Sequence, residues 1–169
     1  MASTSTIEPL PVYTAIIVSL QCLGGSPPRF HWIIFVQDPS SEVWSKFHAT
    51  FVLNKWNYER NPFSLQQSDA VAAATIIGSL GSRTSDDLHH ILKEIPMKIP
   101  DVDISNEPRF TCLVWLREAL RRIHNAGIIY CPDENATERE LIRYGNIAAQ
   151  CTEDDFFRKA RLHKAESSR

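Results

Sequence analysis

The stretch "FHWIIFVQ" at residues 30–37 decides the fold class, because it is rich in β-branched and aromatic side chains. It is also far shorter than the roughly 20 apolar residues of a membrane-spanning helix. The turn-forming residues "LGGSPP" at 23–28 precede it, and "DPSS" at 38–41 follows it. A short apolar run between two such breakers is typical of a buried strand. The stretch therefore predicts a strand inside a sheet.

Two further strands are predicted on either side of this one. The segment "VYTAIIVSLQC" at residues 12–22 is rich in β-branched side chains. In "EVWSKFHATFVL" at residues 42–53, apolar residues recur at every second or fourth position, as on one face of a strand. Phe47 and Phe51 fall on one face of the second segment, and His48 falls on the other. With turn residues between them, the three strands predict an antiparallel meander.

The segments that follow are harder to assign. The sequence "NKWNYERNPFSLQQSD" at residues 54–69 mixes aromatic and polar residues with a proline, which predicts a loop with at most one short strand. The sequence "AVAAATIIGSL" at residues 70–80 fits a helix and a strand equally well. Its assignment stays open at this point.

Helices are predicted in the second half of the chain. Residues 84–96 form a short helix that Thr84 or Ser85 caps, and the segment 106–130 contains the strongest helix, which begins near Pro108 or Thr111. That helix ends at "NAG", where Gly127 can adopt the left-handed conformation. Two more helices are predicted at 137–150, capped by Thr137, and at 152–165, capped by Thr152.

This order of elements predicts an α+β fold. Strands come first and helices later, without an internal repeat, so an antiparallel sheet from the N-terminal half is expected to pack against the C-terminal helices. A chain of 169 residues that is 43% hydrophobic can bury one ordinary core. We therefore predict a single domain over residues 1–169, with flexible ends at 1–10 and 164–169.

Composition excludes several classes of function. The 18 basic and 20 acidic residues give a net charge of -2, which argues against a protein that mainly neutralises phosphates. No apolar run is long enough to span a bilayer and no secretion signal is visible at residues 1–11, so a cytoplasmic location is expected. The four cysteines contain no C-x-x-C pair, which fits neither a zinc site nor a dense disulfide framework. No metal or organic cofactor is implied.

Cys112 is the candidate nucleophile, because it stands at the start of the strongest predicted helix. Unpaired backbone N–H groups and the helix dipole favour a thiolate there, and the same N–H groups can hold an oxyanion. His31 is the candidate general base, since its strand places it beside apolar neighbours where the ring needs a polar partner. His48 on the next strand is expected to orient His31 through a hydrogen bond between ring nitrogens.

Three short motifs resemble a known arrangement. "FHWIIFV" with His31, "KFHATFV" with His48 and "FTCLVW" with Cys112 follow the order strand-His, strand-His, helix-Cys. In this they resemble the circularly permuted papain-like fold of the lecithin–retinol acyltransferase and NlpC-like group. The resemblance implies a thiol acyltransferase or hydrolase with Cys112 as the nucleophile. One departure is Thr111, because those acyltransferases usually have asparagine before the cysteine.

A second resemblance concerns the helix "C-x-x-W-x-x-x-A-L". Cys112, Trp115, Ala119 and Leu120 fit this pattern, which is similar to that of a group of small proteins from filamentous fungi. That group resembles the fungal arginine-containing cyclodipeptide synthases. The likeness implies a role in specialised metabolism and aminoacyl-tRNA as a partner.

A binding domain without catalysis explains the same residues. Helical spacing places Cys112 on one face with Trp115 and with other apolar residues, so a buried structural cysteine is an equal alternative. Trp32 and Trp115 are predicted to line an acyl or aromatic substrate pocket, although aromatic residues at such positions more often form the core. The first prediction is cysteine-dependent acyl transfer to water or an amine through an acyl-enzyme.

Overall fold

The computed structural model describes residues 15–37, 44–63, 71–149 and 162–169. These residues form six strands, three α-helices and one 3₁₀ turn. In chain order they are β1 (Ala15–Cys22), β2 (Phe30–Gln37), β3 (Trp44–Val52), β4 (Lys55–Phe63), β5 (Val71–Ser79), α1 (Ser85–Leu92), the 3₁₀ turn (Asp101–Asp103), α2 (Cys112–Asn125), α3 (Glu134–Ala149) and β6 (Leu162–Lys164). The predicted α+β class is confirmed.

The strands form one sheet in the order β4-β3-β2-β1-β5-β6. The predicted antiparallel meander of β1, β2 and β3 is confirmed, and β2 occupies the predicted residues 30–37. Ile34 of β2 pairs with Phe47 of β3, so His48 lies next to Ile33 and diagonal to His31 in the antiparallel register. This register brings the two predicted histidines within reach of each other.

The segment at residues 54–69, predicted as a loop with at most one short strand, contains a longer strand than expected, because Lys55–Phe63 form the nine-residue strand β4. Leu53 (φ 51°) and Asn54 (φ 62°) make the two-residue turn between β3 and β4. Both turn residues have positive φ, as the favoured hairpin turns require, but the usual Asn-Gly signal is missing. The sequence therefore contains no clear signal for this hairpin. Residues 70–80 resolve in favour of a strand, β5, which lies between β1 and β6.

Side-chain hydrogen bonds at the N-termini fix the first two helices. Thr84 caps α1 with a reciprocal bond to Asp87, and Thr111 caps α2 by accepting a bond from the backbone N–H of Val114. Gly127 follows α2 at φ 68°, as predicted. The third helix begins at Glu134, earlier than predicted, and Thr137 lies buried inside it rather than at its cap.

The C-terminal residues pack against the sheet. Residues 162–164 form β6 parallel to β5, so the helix predicted at 152–165 does not extend through its last residues. Ala165 and Ser168 are buried, and the Ser168 hydroxyl donates a 2.6 Å hydrogen bond to the carbonyl of Ile77. Sequence patterns are weak here because β6 pairs with a strand about 90 residues away. The other predicted flexible end, 1–10, lies outside the described residues.

The helices cover one face of the sheet. Alternate residues of β2, including Trp32 and Ile34, pack with Trp115 and Leu116 of α2 in the larger hydrophobic core. The intervening residues of the strands, such as Ile33, form a smaller apolar cluster with their own neighbours. This alternation decides which side chains can meet α2 directly. No helix of the described residues is long and apolar enough to cross a membrane.

Candidate active site

His31 and His48 form a hydrogen-bonded pair on neighbouring strands. Nε2 of His31 lies 2.8 Å from Nδ1 of His48, and the rings meet edge-on with their centroids 5.1 Å apart. The direct contact between ring nitrogens agrees with the orienting bond that the sequence predicts. Because one ring must donate and the other accept, the bond leaves Nδ1 of His31 as the unoccupied nitrogen of that ring.

Burial keeps both rings neutral. His48 is only 5% exposed, and burial, then the charge of Lys46, then His31, lower its pKa to about 4. Burial and then Lys46 also lower the pKa of His31, which is half-buried. The carboxylate of Glu59 acts in the opposite direction on both rings. At neutral pH each imidazole therefore carries one proton and can accept another.

Glu59 is a charged neighbour that the sequence analysis missed. It pairs with His48 in the register of β3 and β4, and its Oε2 lies 3.8 Å from Nε2 of His48. Hydrogen bonds from Thr50 (2.6 Å) and Asn61 (3.0 Å) hold the pKa of Glu59 below its usual range. The position of Glu59 opposite His48 could not be predicted because the extent of β4 and its pairing with β3 were not known from the sequence. Once the strand is known, alternation places Glu59 on the same face as His48.

Cys112 begins α2, as predicted, and is half-buried rather than enclosed. Burial raises the pKa of its thiol, whereas hydrogen bonds from the backbone N–H groups of Trp32, Leu113 and Cys112 itself lower it to a smaller extent. The sulfur is thus a protonated thiol at neutral pH and needs a base for reaction. Its contact with the N–H of Trp32 places it one residue from His31 along β2.

The rings of His31 and His48 contact each other, but neither is hydrogen-bonded to the Cys112 sulfur within the described residues. Trp32 belongs to the set of strand residues that face α2, whereas His31 and His48 belong to the alternate set. Within the described residues, no hydrogen bond links the Cys112 thiol to either ring. The Cys112 sulfur and the ring of its predicted base, His31, therefore lie on opposite faces of the sheet, without direct side-chain contact.

Trp32 and Trp115 do not line an open pocket. They are 3% and 0% exposed and belong to the larger hydrophobic core, which corrects their prediction as substrate-binding residues. Apolar rings with access to solvent lie elsewhere near the start of α2. Phe110, two residues before Cys112, packs edge-on against Trp56 with the centroids 5.5 Å apart, and Trp56 contacts the exposed Phe51 at 5.3 Å.

A charged groove lies between the 3₁₀ turn, α2 and the start of α3. It encloses about 440 Å³ and is lined by Arg117 and Arg121 together with acidic residues. Arg117 binds Glu107 and Glu138, and Arg121 binds Asp103 among its partners. Because these charged side chains pair with one another, we interpret the groove as an ion-pair network that holds α2 against the 3₁₀ turn, the loop after it and α3.

Among the residues that the structure describes, no three or more His, Cys, Asp or Glu side chains are grouped to hold a metal ion. Cys22, Cys112 and Cys131 are free thiols, and Cys151 lies outside the described ranges.

The fold and the site together define an α+β protein with a histidine pair on its sheet and a cysteine at the start of a helix beside it. The chain belongs to the family of unknown function DUF6540, whose sequence model matches residues 17–130. The matched region runs from β1 past the end of α2 and includes His31, His48, Glu59 and Cys112. Neither the curated proteins nor the solved structures provide a match to this chain.

Proposed function

We propose that the protein is a cysteine-dependent acyl-transfer enzyme with Cys112 as nucleophile, His31 as general base and His48 as the residue that orients it. The observation that carries the proposal is the 2.8 Å bond between the two rings, one residue along β2 from the N–H group that contacts the sulfur. This combination of a helix-start thiol and an oriented imidazole is what covalent acyl transfer requires.

The protonation states support this assignment. A thiol with a raised pKa reacts only when a neighbouring group removes its proton, and His31 is neutral and able to do so. His48 occupies Nε2 of His31, so the base is its Nδ1. Because the His31 ring and the Cys112 sulfur lie on opposite faces of the sheet, the proposed proton transfer runs through water around the first residues of β2 rather than through a direct contact.

The reaction proceeds in two balanced halves. The Cys112 proton moves through the bridging water to Nδ1 of His31 while sulfur attacks the carbonyl carbon of an ester, thioester or amide, and a backbone N–H at the start of α2 stabilises the oxyanion. The intermediate collapses, and His31 returns the proton to the leaving group. Water or an amine then attacks the acyl-enzyme, gives its proton to His31, and releases the product as the thiol recovers that proton.

The order of the elements supports a permuted papain-like arrangement as part of the proposal. The histidine strands β2 and β3 precede the cysteine helix α2, as in the family that the motifs resemble. The exposed ring of Phe51 and the half-buried rings of Trp56 and Phe110 offer an apolar surface next to the start of α2. An acyl group with an aliphatic or aromatic portion fits this surface better than a charged one.

Intact-protein mass spectrometry tests the proposal. Wild type is incubated with activated thioesters of aliphatic and aromatic acids and with aminoacyl-tRNA, and one acyl mass is expected on Cys112 with at least one donor. Cys112→Ala should lose the adduct, and His31→Gln should form it at least about 100-fold more slowly. Cys22→Ala, which removes another free thiol, is the matched control and should keep it. No adduct with any donor would favour a binding domain, and an adduct that survives in Cys112→Ala would contradict the assignment of Cys112 as the nucleophile.

A further inference from the structure

The Nε2 atom of His48 is the unsatisfied polar atom of the site. His48 is 5% exposed, and its Nε2 is buried with no hydrogen-bond partner among the residues that the structure describes. The other ring nitrogen, Nδ1, is occupied by His31. Because a buried polar atom without a partner is costly, some feature of the surroundings must determine whether Nε2 carries the proton.

Glu59 provides a charge in the right place. Its Oε2 is 3.8 Å from Nε2 of His48, which is too long for a hydrogen bond but within the range of an ion pair. Thr50 and Asn61 donate hydrogen bonds to its two oxygens and so restrict the side chain. An ionised carboxylate has no proton to donate, so its charge favours N–H over a lone pair at Nε2.

One proton position then determines the next. A neutral imidazole carries a single N–H, so a proton on Nε2 of His48 makes its Nδ1 an acceptor. Nε2 of His31 must therefore be the donor in the 2.8 Å bond between the rings. With its proton on Nε2, His31 presents a lone pair at Nδ1. Glu59 thus selects which nitrogen of His31 is basic, although it does not touch that ring.

We propose that Glu59 is a positioning residue that fixes the tautomers of His48 and His31 and thereby makes Nδ1 of His31 the base of the site. The catalytic part of this inference rests on the proposed function, whereas the tautomers themselves do not. Lys46 acts on both rings with the opposite sign. Its charge therefore opposes a second proton on either ring.

Nitrogen-15 NMR tests the tautomers directly. In long-range proton–nitrogen spectra of the whole chain at pH 7.5, both rings of wild type should show the Nε2–H form. The spectra are assigned with His31→Gln and His48→Gln. Finding His48 in the Nδ1–H form in wild type would overturn the proposal, whatever activity the protein has.

Variants of Glu59 separate positioning from structure. Glu59→Gln keeps the shape but removes the charge, and we expect the His48 and His31 signals to shift toward a mixture of both tautomers. Glu59→Asp should restore part of the preference. Glu94→Gln, which changes an exposed glutamate after α1, is the control and should leave the spectrum unchanged. Unchanged tautomers in Glu59→Gln would overturn the role of Glu59.

Acylation distinguishes this inference from the proposed function. The rate of adduct formation should fall roughly 10–100-fold in Glu59→Gln, the usual range for a group that orients an imidazole. A Glu59-dependent tautomer without any adduct in wild type would contradict acyl transfer but uphold the assignment of Glu59. An adduct that forms equally fast in wild type and Glu59→Gln would contradict the positioning role alone.

Discussion

His48 connects the chemistry of the site to the stability of the sheet. Its ring is buried on β3, bonded to His31 and held neutral, with a pKa lowered to about 4. The same burial that keeps it available as a hydrogen-bond partner opposes its protonation. A single residue therefore makes the site sensitive to acid.

We predict that this sensitivity appears as a loss of stability at low pH. Between about pH 6.5 and 4 the unfolded chain binds a proton at His48 while the folded chain does not, so the free energy of unfolding falls as pH falls. Above about pH 6.5, His48 is neutral in both the folded and the unfolded chain, so this loss of stability is absent. The lowering of the His48 pKa corresponds to a decrease of at most about 3 kcal/mol in the free energy of unfolding at pH 4. Urea titrations at pH 7 and pH 4 measure it.

The His48→Gln variant isolates this contribution, because carboxylates also titrate in the same range. Wild type should lose more stability than His48→Gln between the two pH values, by a difference of the order of 1–3 kcal/mol. An equal loss in both proteins would show that His48 titrates normally in the folded state.

At the scale of elements, the start of α2 joins helix formation to thiol chemistry. Thr111 leaves the helical conformation, and its hydroxyl accepts a bond from the N–H of Val114, which sets where the first turn begins. The free N–H groups of this turn hydrogen-bond to the Cys112 sulfur and lower its pKa. The cap therefore determines the surroundings of the thiol.

We predict that Thr111→Ala lowers stability by about 1 kcal/mol and raises the pKa of the Cys112 thiol further, because the first turn frays. The pH dependence of iodoacetamide alkylation reports the pKa. Thr84→Ala removes the corresponding cap from α1 and is the matched control. It should cost similar stability and leave the thiol unchanged. If both variants shift the pKa equally, the effect is global loosening and the cap has no specific role.

At the scale of the whole molecule, the sheet is completed from both ends of the chain. β1 lies in the interior between β2 and β5, and β6 returns after the helices to pair with β5. Backbone bonds in both directions between Tyr130 and Arg169 tie this last segment to the loop before α3. The sheet that carries the histidines thus depends on contacts that are remote from them.

We predict that Ser168→Ala destabilises the domain by about 1–2 kcal/mol, because it removes a buried donor and leaves the carbonyl of Ile77 without that bond. Thermal and urea unfolding measure the change. Ser105→Ala, at an exposed serine in the loop before α2, is the control and should have little effect. A Ser168 variant as stable as this control would show that the hydrogen bond from Ser168 to Ile77 contributes little to stability.

Much of the architecture follows from local patterns. Alternation and turn residues were enough to predict β2 and the meander around it, and capping residues with a terminal glycine were enough for α1 and α2. Cys112 at a helix start follows from the same reasoning. These features depend on interactions among residues a few positions apart, which is why one sequence suffices to predict them.

The pairing of His31 with His48 was predicted as a possibility, but only the register of β2 and β3 makes it a 2.8 Å bond. Glu59 was missed because it enters the site through β4, a strand whose turn lacks the usual glycine. The two predicted pocket residues, Trp32 and Trp115, lie in the core instead. Whether an aromatic ring faces a cavity or a neighbouring helix is decided by packing and not by its spacing.

By itself the sequence determined the class of fold, the meander and the helix that begins with Cys112, because period, turns and caps act over short stretches of chain. Strand register and packing between distant segments place Glu59 beside His48 and pair β6 with β5 at the edge of the sheet. Only the tertiary structure decided this, and it also decided that the thiol meets the backbone of β2 rather than a ring. These features depend on strand register and on contacts between distant segments, which no local pattern encodes.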